Sequence, residues 1–215
     1  MALTKSRARD PRNRFSVWAD SIGASALWGS ITALLGALAL FPAIPAFSAL
    51  LADRSSSFAS ADEAYRALFS VVGLMAFAFT NLWFLVALIN FGFRAVRFVR
   101  ERGVSTRWGA GWAIGSWFVP VASLILPYLV LRDVAGVGAA NAEERKRSLL
   151  RFWVLWQVVN NVASFGLQAA TGQDTSLIYQ GFVITACVMP FFAVPMMMAR
   201  KLFREIESDL KALIV

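Results

Sequence analysis

The polar side chains embedded in apolar sequence are few, and they bound the chemistry open to this chain. Gln157, Asn160, Asn161, Ser164 and Gln168 recur at helical spacing and form one polar stripe. Amides of that kind hydrogen-bond backbone groups or solutes but do not work as bases or nucleophiles. Ser116 and Ser123 offer hydroxyls with neither a histidine nor a deep carboxylate to activate them, and the sequence contains no histidine at all. Cys187 is the single cysteine, which excludes a disulfide framework or a cysteine-based metal site within one chain. The run Met196-Met197-Met198 reads as soft packing rather than a metal site. No Asp, Glu, Lys or Arg falls deep in a confident apolar run, which disfavours proton-coupled pumping. The residues therefore predict no catalytic group, no metal and no cofactor, so the chain is not expected to be an enzyme.

One segment stands out, Trp108 to Leu131. Gly111 and Gly115 make a GxxxG pair, Trp117 follows, and Pro120 removes a backbone donor from the middle of the run. A break near Pro120 would leave two half-helices of about 10–12 residues, each rising about 15–18 Å, roughly half a bilayer. Polar backbone at that depth is tolerated only where protein covers it or a wet cavity reaches it. Asn160 and Asn161 are expected at the same depth. The predicted network therefore comprises Gln157, Asn160, Asn161, Ser164, Gln168, Pro120, Gly111, Gly115 and Trp117. It serves either as interhelical glue or as the lining of a shallow, solute-facing polar cavity. Asn81, Asn90, Pro190 and Pro195 read as packing contacts and helix kinks.

The elements that must position this network are apolar runs. Of 215 residues, 58% are hydrophobic and only 16% charged, well below the quarter usual in soluble domains. About 20 residues cross a hydrocarbon layer as a helix. Runs near Ser21–Phe41, Ala67–Phe93, Phe152–Ala170 and Leu177–Ala199 meet that length. The first is too long for the apolar core of a cleaved signal peptide and is expected to be an uncleaved anchor. Its end is expected at Pro42 and Pro45.

The net charge of +8 comes from short basic clusters at the ends of the runs, which is how membrane loops are written, so nucleic acid is not an expected partner. Five Lys or Arg precede the first run, five follow the second, five lie between Arg132 and Arg151, and four follow Ala199; Arg54 and Arg66 stand apart. With five full spans, ten basic residues fall on one face and eleven on the other. If Trp108–Leu131 enters and leaves on the same face, the division is nineteen against two. Cytoplasmic loops are enriched in Lys and Arg. The expected fold is thus an all-α membrane protein of four transmembrane helices plus one Pro/Gly-broken re-entrant or interfacial hairpin, the alternative being five full spans. It is read as one membrane-embedded helical domain over 1–215, with both termini cytoplasmic. Trp18, Trp108, Trp112, Trp153 and Trp156 would then lie near the cytoplasmic interface.

The flanks complete this reading. Residues 1–17 form a basic cytoplasmic tail, and 42–66 an external loop in which Asp62 and Glu63 could start the next helix. Asn141, with Glu143 and Glu144, starts a helix that runs straight into the third span. Residues 200–215 form an amphipathic cytoplasmic tail with Leu202, Phe203, Ile206, Leu210 and Leu213 on one face; it is expected on the membrane surface, or else on a partner. Ser21, Ser25, Gly29, Ala33 and Ala37 make a small-residue stripe suited to close helix approach, within the chain or against a second copy.

The segment Arg94-Ala95-Val96-Arg97, Gly103, Trp108, Gly111-Trp112-Ala113, Gly115, Trp117-Phe118-Val119-Pro120, Leu124, Pro127-Tyr128 and Arg132-Asp133 resembles an uncharacterised bacterial integral membrane family, domain of unknown function 4328. Phe98 and Ser123 stand where that family is expected to favour Asn. The resemblance implies a bacterial cytoplasmic (inner) membrane protein and carries over no activity. The expected function is a non-catalytic binding or regulatory module of that membrane, partnered by lipid and by a second copy or another membrane protein. The alternative is an oligomeric small-solute or lipid pathway built around the 108–131 hairpin.

Overall fold

A computed structural model describes residues 12–53, 60–119, 121–170 and 175–213, and the described residues are helical, without strands. Helix α1 covers Arg12–Asp53 and α2 covers Ala61–Glu101. α1 does not stop at Pro42 and Pro45, as the sequence had suggested, and much of the anticipated 42–66 loop is helix. Each proline forfeits one i→i−4 bond. The neighbouring Ala43 and Ile44 are buried, and Ile44 joins a core of Ala37, Leu40, Ala186 and Met189, so tertiary packing outweighs the lost bonds. At its other end α1 already includes Arg12–Val17, part of the expected tail; residues 1–11 lie outside the described residues. Helix α2 begins beside Asp62 and Glu63 as anticipated, its first turn acidic, and Ser60 Oγ accepts from Glu63 N at 3.2 Å.

Three helical stretches are long and apolar enough to cross a membrane: Val17–Pro45, Ala61–Glu101 and Leu177–Ala212. The fourth expected span lies in α5, Ala142–Ala170, which is long enough but made more polar by its amide stripe. In the last stretch, α6 (Thr175–Val188) passes through a 3-10 segment, Met189–Phe192, into α7 (Ala193–Ala212). Pro190 sits in that tighter turn, where its missing donor is least costly.

The outward faces are apolar. Leu38, Phe69, Met75, Phe79, Phe118 and Val121 are each more than two-thirds exposed. An apolar surface on this scale is explained by a hydrocarbon surrounding rather than water.

The chain groups into two compact units. One comprises residues 25–84 and 151–199. Here α1 and α2 run antiparallel in close contact: a Cβ on Gly73 would lie 3.2 Å from the Gly36 Cα, Thr32 and Thr80 hydroxyls meet at 3.0 Å, and Ser70 Oγ donates to Ala39 O at 2.7 Å. The small-residue stripe of α1 is buried from Ser25 through Gly29 and Ala33 to Ala37, and Met196 fills the space over Gly29, so intrachain packing uses the stripe. Phe84, Phe152, Trp156 and Phe192 form the aromatic core. Trp153 and Trp156 are therefore buried packing residues.

The other unit comprises 1–24, 85–150 and 200–215. Within it, Phe91 of α2 meets Phe203 of α7 edge-on at 5.1 Å between centroids. Leu202, Phe203, Ile206 and Leu210 are all buried, so the apolar face of the tail is covered by its own chain, contrary to the surface-bound helix expected from amphipathicity alone. Arg145 fastens the tail: its Nε donates to Asp209 Oδ2 at 2.9 Å and its NH1 to Glu205 Oε2. The buried Glu207 pairs with Lys211 at 2.5 Å, the i,i+4 pair visible in the sequence.

Candidate functional site

The 108–131 segment is interrupted, not one helix. Helix α3 is only Ala110–Gly115, a 3-10 turn follows at Ala122–Leu124, and α4 covers Leu126–Ala135. Pro120 itself lies outside the described residues. Beside it, Val121 adopts φ 63°, a conformation that β-branched residues rarely enter, where the chain changes direction. α3 and α4 pack on one another, and Gly92 of α2 admits both arms: a Cβ there would meet Leu131 Cδ2 at 3.3 Å and Ala113 Cβ at 3.8 Å.

Two features define the hairpin. Its feet meet, because Trp108 N donates to Asp133 Oδ2 at 3.3 Å, tying the residue that opens it to one near its close. Its tip is apolar and outward, with Phe118, Val121 and Ile125 exposed. The tip also satisfies much of its own backbone. Ser116 N bonds Trp112 O, Trp117 N bonds Ile114 O, Phe118 N bonds Gly115 O, and Ser123, Leu124 and Ile125 donate to Val119, Val121 and Ala122. These short local bonds relieve the demand for outside amides that a mid-run proline would otherwise create. The Ser116 hydroxyl is buried and has no partner among the described residues.

The predicted network fares unevenly. Asn160 and Asn161 are on one helix as expected, but their amide nitrogens turn back to Trp156 O at 2.9 Å and Gln157 O at 2.7 Å. Gln157 and Asn160 are half-buried, while Asn161, Ser164 and Gln168 are exposed. Gly111 and Gly115 have no described atom within 4 Å of where a Cβ would sit, so no described neighbour uses the GxxxG pair as a seam. Trp117 is half-buried.

The feature that sequence reasoning missed lies at the feet of the hairpin. A cleft of about 450 Å³ is walled by Arg107, Trp108, Arg132, Asp133, Gly136 and Lys146. Leu129 and Val137 add apolar wall. Asp133 Oδ2 accepts from the Trp108 backbone, and Arg132 beside it is exposed. The Arg107 guanidinium lies 5.6 Å over the Trp108 ring, which in turn meets Trp112 edge-on at 5.6 Å. Lys146 Nζ donates to Glu143 Oε1 at 2.8 Å. That hydrogen bond and the ammonium charge hold the Glu143 carboxyl below its ordinary range, with Arg132 and Arg147 adding to the effect. The signal was present in the sequence as basic clusters 25 to 40 positions apart, but only chain reversal brings them to one opening.

Gly136 sets the width of this cleft. A Cβ there would come within 2.8 Å of Lys146 Cε. Because that atom belongs to a flexible stem, Gly136→Val is expected to displace the ammonium while changing stability by less than about 1.5 kcal/mol. Comparing thermal midpoints with the labelling rate of Lys146 by an amine reagent checks this: a faster rate at nearly constant midpoint is expected.

Among the described residues no group of His, Cys, Asp or Glu is placed to hold a metal ion. Long apolar helices, outward apolar faces and an interrupted hairpin with polar feet are the physical description of a helical membrane protein. Residues 51–208 match the family Domain of unknown function (DUF4328), and the chain belongs to that family. Comparisons with curated proteins and with solved structures give no match.

Proposed function

We propose that this protein is a non-catalytic binding module of a bacterial cytoplasmic membrane, built of four spans and one hairpin that enters and leaves on the basic face. The joining of Trp108 to Asp133 is the observation that carries this reading. A segment whose ends are hydrogen-bonded to each other returns to the level from which it started, and its exposed apolar tip favours insertion into hydrocarbon. With that return, nineteen of the 21 Lys and Arg fall on one face, which the positive-inside rule makes cytoplasmic together with both termini. Lipid is the first partner, and a second copy or another membrane protein the next.

Topology provides the test. In a Cys187→Ser background, single cysteines at Ser105→Cys and Glu144→Cys are expected to react with a membrane-impermeant maleimide from the same side, and Ser60→Cys from the other. Labelling of positions 105 and 144 from opposite sides would reject the hairpin and restore five full spans. A liposome flux assay tests the remaining choice: solute movement abolished by replacing Asn160 and Asn161 with Leu would favour a pathway over a binding module. Return of both amides to their own helix supports the absence of such movement.

A further inference from the structure

The geometry points to a ligand for the cleft at the hairpin's feet: we infer that it holds a phosphate-bearing anion. Three cations, Arg107, Arg132 and Lys146, face one opening with a single carboxylate, Asp133, among them. That carboxylate accepts from the Trp108 backbone, and Glu143 occupies one of the three N–H donors of Lys146. Neither guanidinium donates to a described residue, so two forked donor sets and the rest of the ammonium stand unspent around the same space.

Unspent donors of one sign, set beside the apolar walls of Trp108, Leu129 and Val137, favour an anion more than they would in open water. Guanidinium forks match the oxygens of a phosphate two at a time, and an ammonium supplies a third point charge. The terminal oxygens of a phosphate point in different tetrahedral directions, so cations on separate walls of the cleft can each reach an acceptor. The volume of about 450 Å³ lies in the range of small-molecule sites, so the phosphate has room to carry a substituent. Gly136 leaves room for Lys146 on the wall of the cleft, since a Cβ there would lie 2.8 Å from Lys146 Cε.

Phosphate of this kind reaches the cleft either on an anionic phospholipid or as a soluble phosphate. The membrane reading above bears only on that choice of source, since the donor set is the same for both. Two probes separate the sources. Equilibrium dialysis of inorganic phosphate against the full-length protein in a neutral detergent measures the soluble form. Native mass spectrometry of protein titrated with phosphatidylglycerol, against phosphatidylcholine as the zwitterionic control, measures the lipid.

Saturable binding of at least one probe is expected, with phosphatidylglycerol retained over phosphatidylcholine if the lipid is the source. The double variant Arg132→Gln/Lys146→Gln is expected to bind on the order of tenfold more weakly or worse. Arg97→Gln, which removes an exposed charge paired with Glu101, is expected to bind as the parent does. Glu143→Gln frees Lys146 and is expected to tighten binding several-fold, a gain that misfolding cannot imitate. Absence of saturable binding for both probes overturns the inference, as does parental affinity in the folded double variant or in Glu143→Gln. Phosphate binding retained by a chain that fails the topology test would reject the membrane arrangement and leave the cleft standing.

Discussion

Gly181→Ala is expected to lower stability by about 2–3 kcal/mol, although alanine is the better helix former by about 1 kcal/mol. Gly181 lies in α6 where it crosses α5. A Cβ built there falls 2.2 Å from Ala170 N and 2.6 Å from Gly166 O, both backbone atoms. A side chain could rotate away, but a helix backbone cannot, so the two helices must separate along the whole crossing. The same contact is tight from the other side, where a Cβ on Gly166 would meet Thr185 Oγ1 at 2.8 Å. Gly111→Ala is the control, since no described atom lies within 4 Å of its Cβ position and its midpoint should hold or rise. Thermal unfolding in detergent, read by loss of soluble monomer, compares the two. Equal midpoints for Gly181→Ala and the parent would mean that α5 and α6 do not cross there.

Phe203→Ala should be comparably damaging, at about 3–5 kcal/mol for removal of a fully buried aromatic ring. The ring has no exposed surface and meets Phe91 edge-on, a geometry worth about 0.5–1.5 kcal/mol beyond its area. Its loss leaves a cavity where α7 meets Phe91 of α2, so the tail should loosen before the rest of the unit does. Trypsin reports this directly through Lys201 and Arg204: faster cleavage at those sites is expected in the variant, together with a lower thermal midpoint. Lys201 is largely exposed, so slow cutting in the parent has to come from helix docking and not from inaccessibility of that side chain. A tail that merely lay on lipid would be cut at the same rate in parent and variant. That result would return residues 200–212 to the membrane surface.

Local signals were legible wherever one element sufficed to decide them. Asp62 and Glu63 marked the start of α2, and Glu143 and Glu144 that of α5, because charge preference near a helix end is set within one turn. The break in the 108–131 run followed from its glycines and Pro120. The ends of α1 were misread for the same reason in reverse: prolines are strong local signals, and burial of Ile44 beside them is not local. The amide stripe was correctly placed on one helix, yet its expected role presumed unsatisfied backbone in the hairpin, which short 3-10 and turn bonds largely supply.

From the sequence alone came the helical class, the long apolar runs and the basic clusters at their ends, all set by side-chain type along a continuous stretch. What required the folded chain was which groups spend their bonding capacity on one another. Asp133 turns to the Trp108 backbone, Arg145 to Glu205 and Asp209, and Asn160 and Asn161 to their own helix. Hydrogen-bond donors and charges have no preferred partner until distance is known. For that reason three cations scattered over forty positions became a single cleft only when the chain reversed.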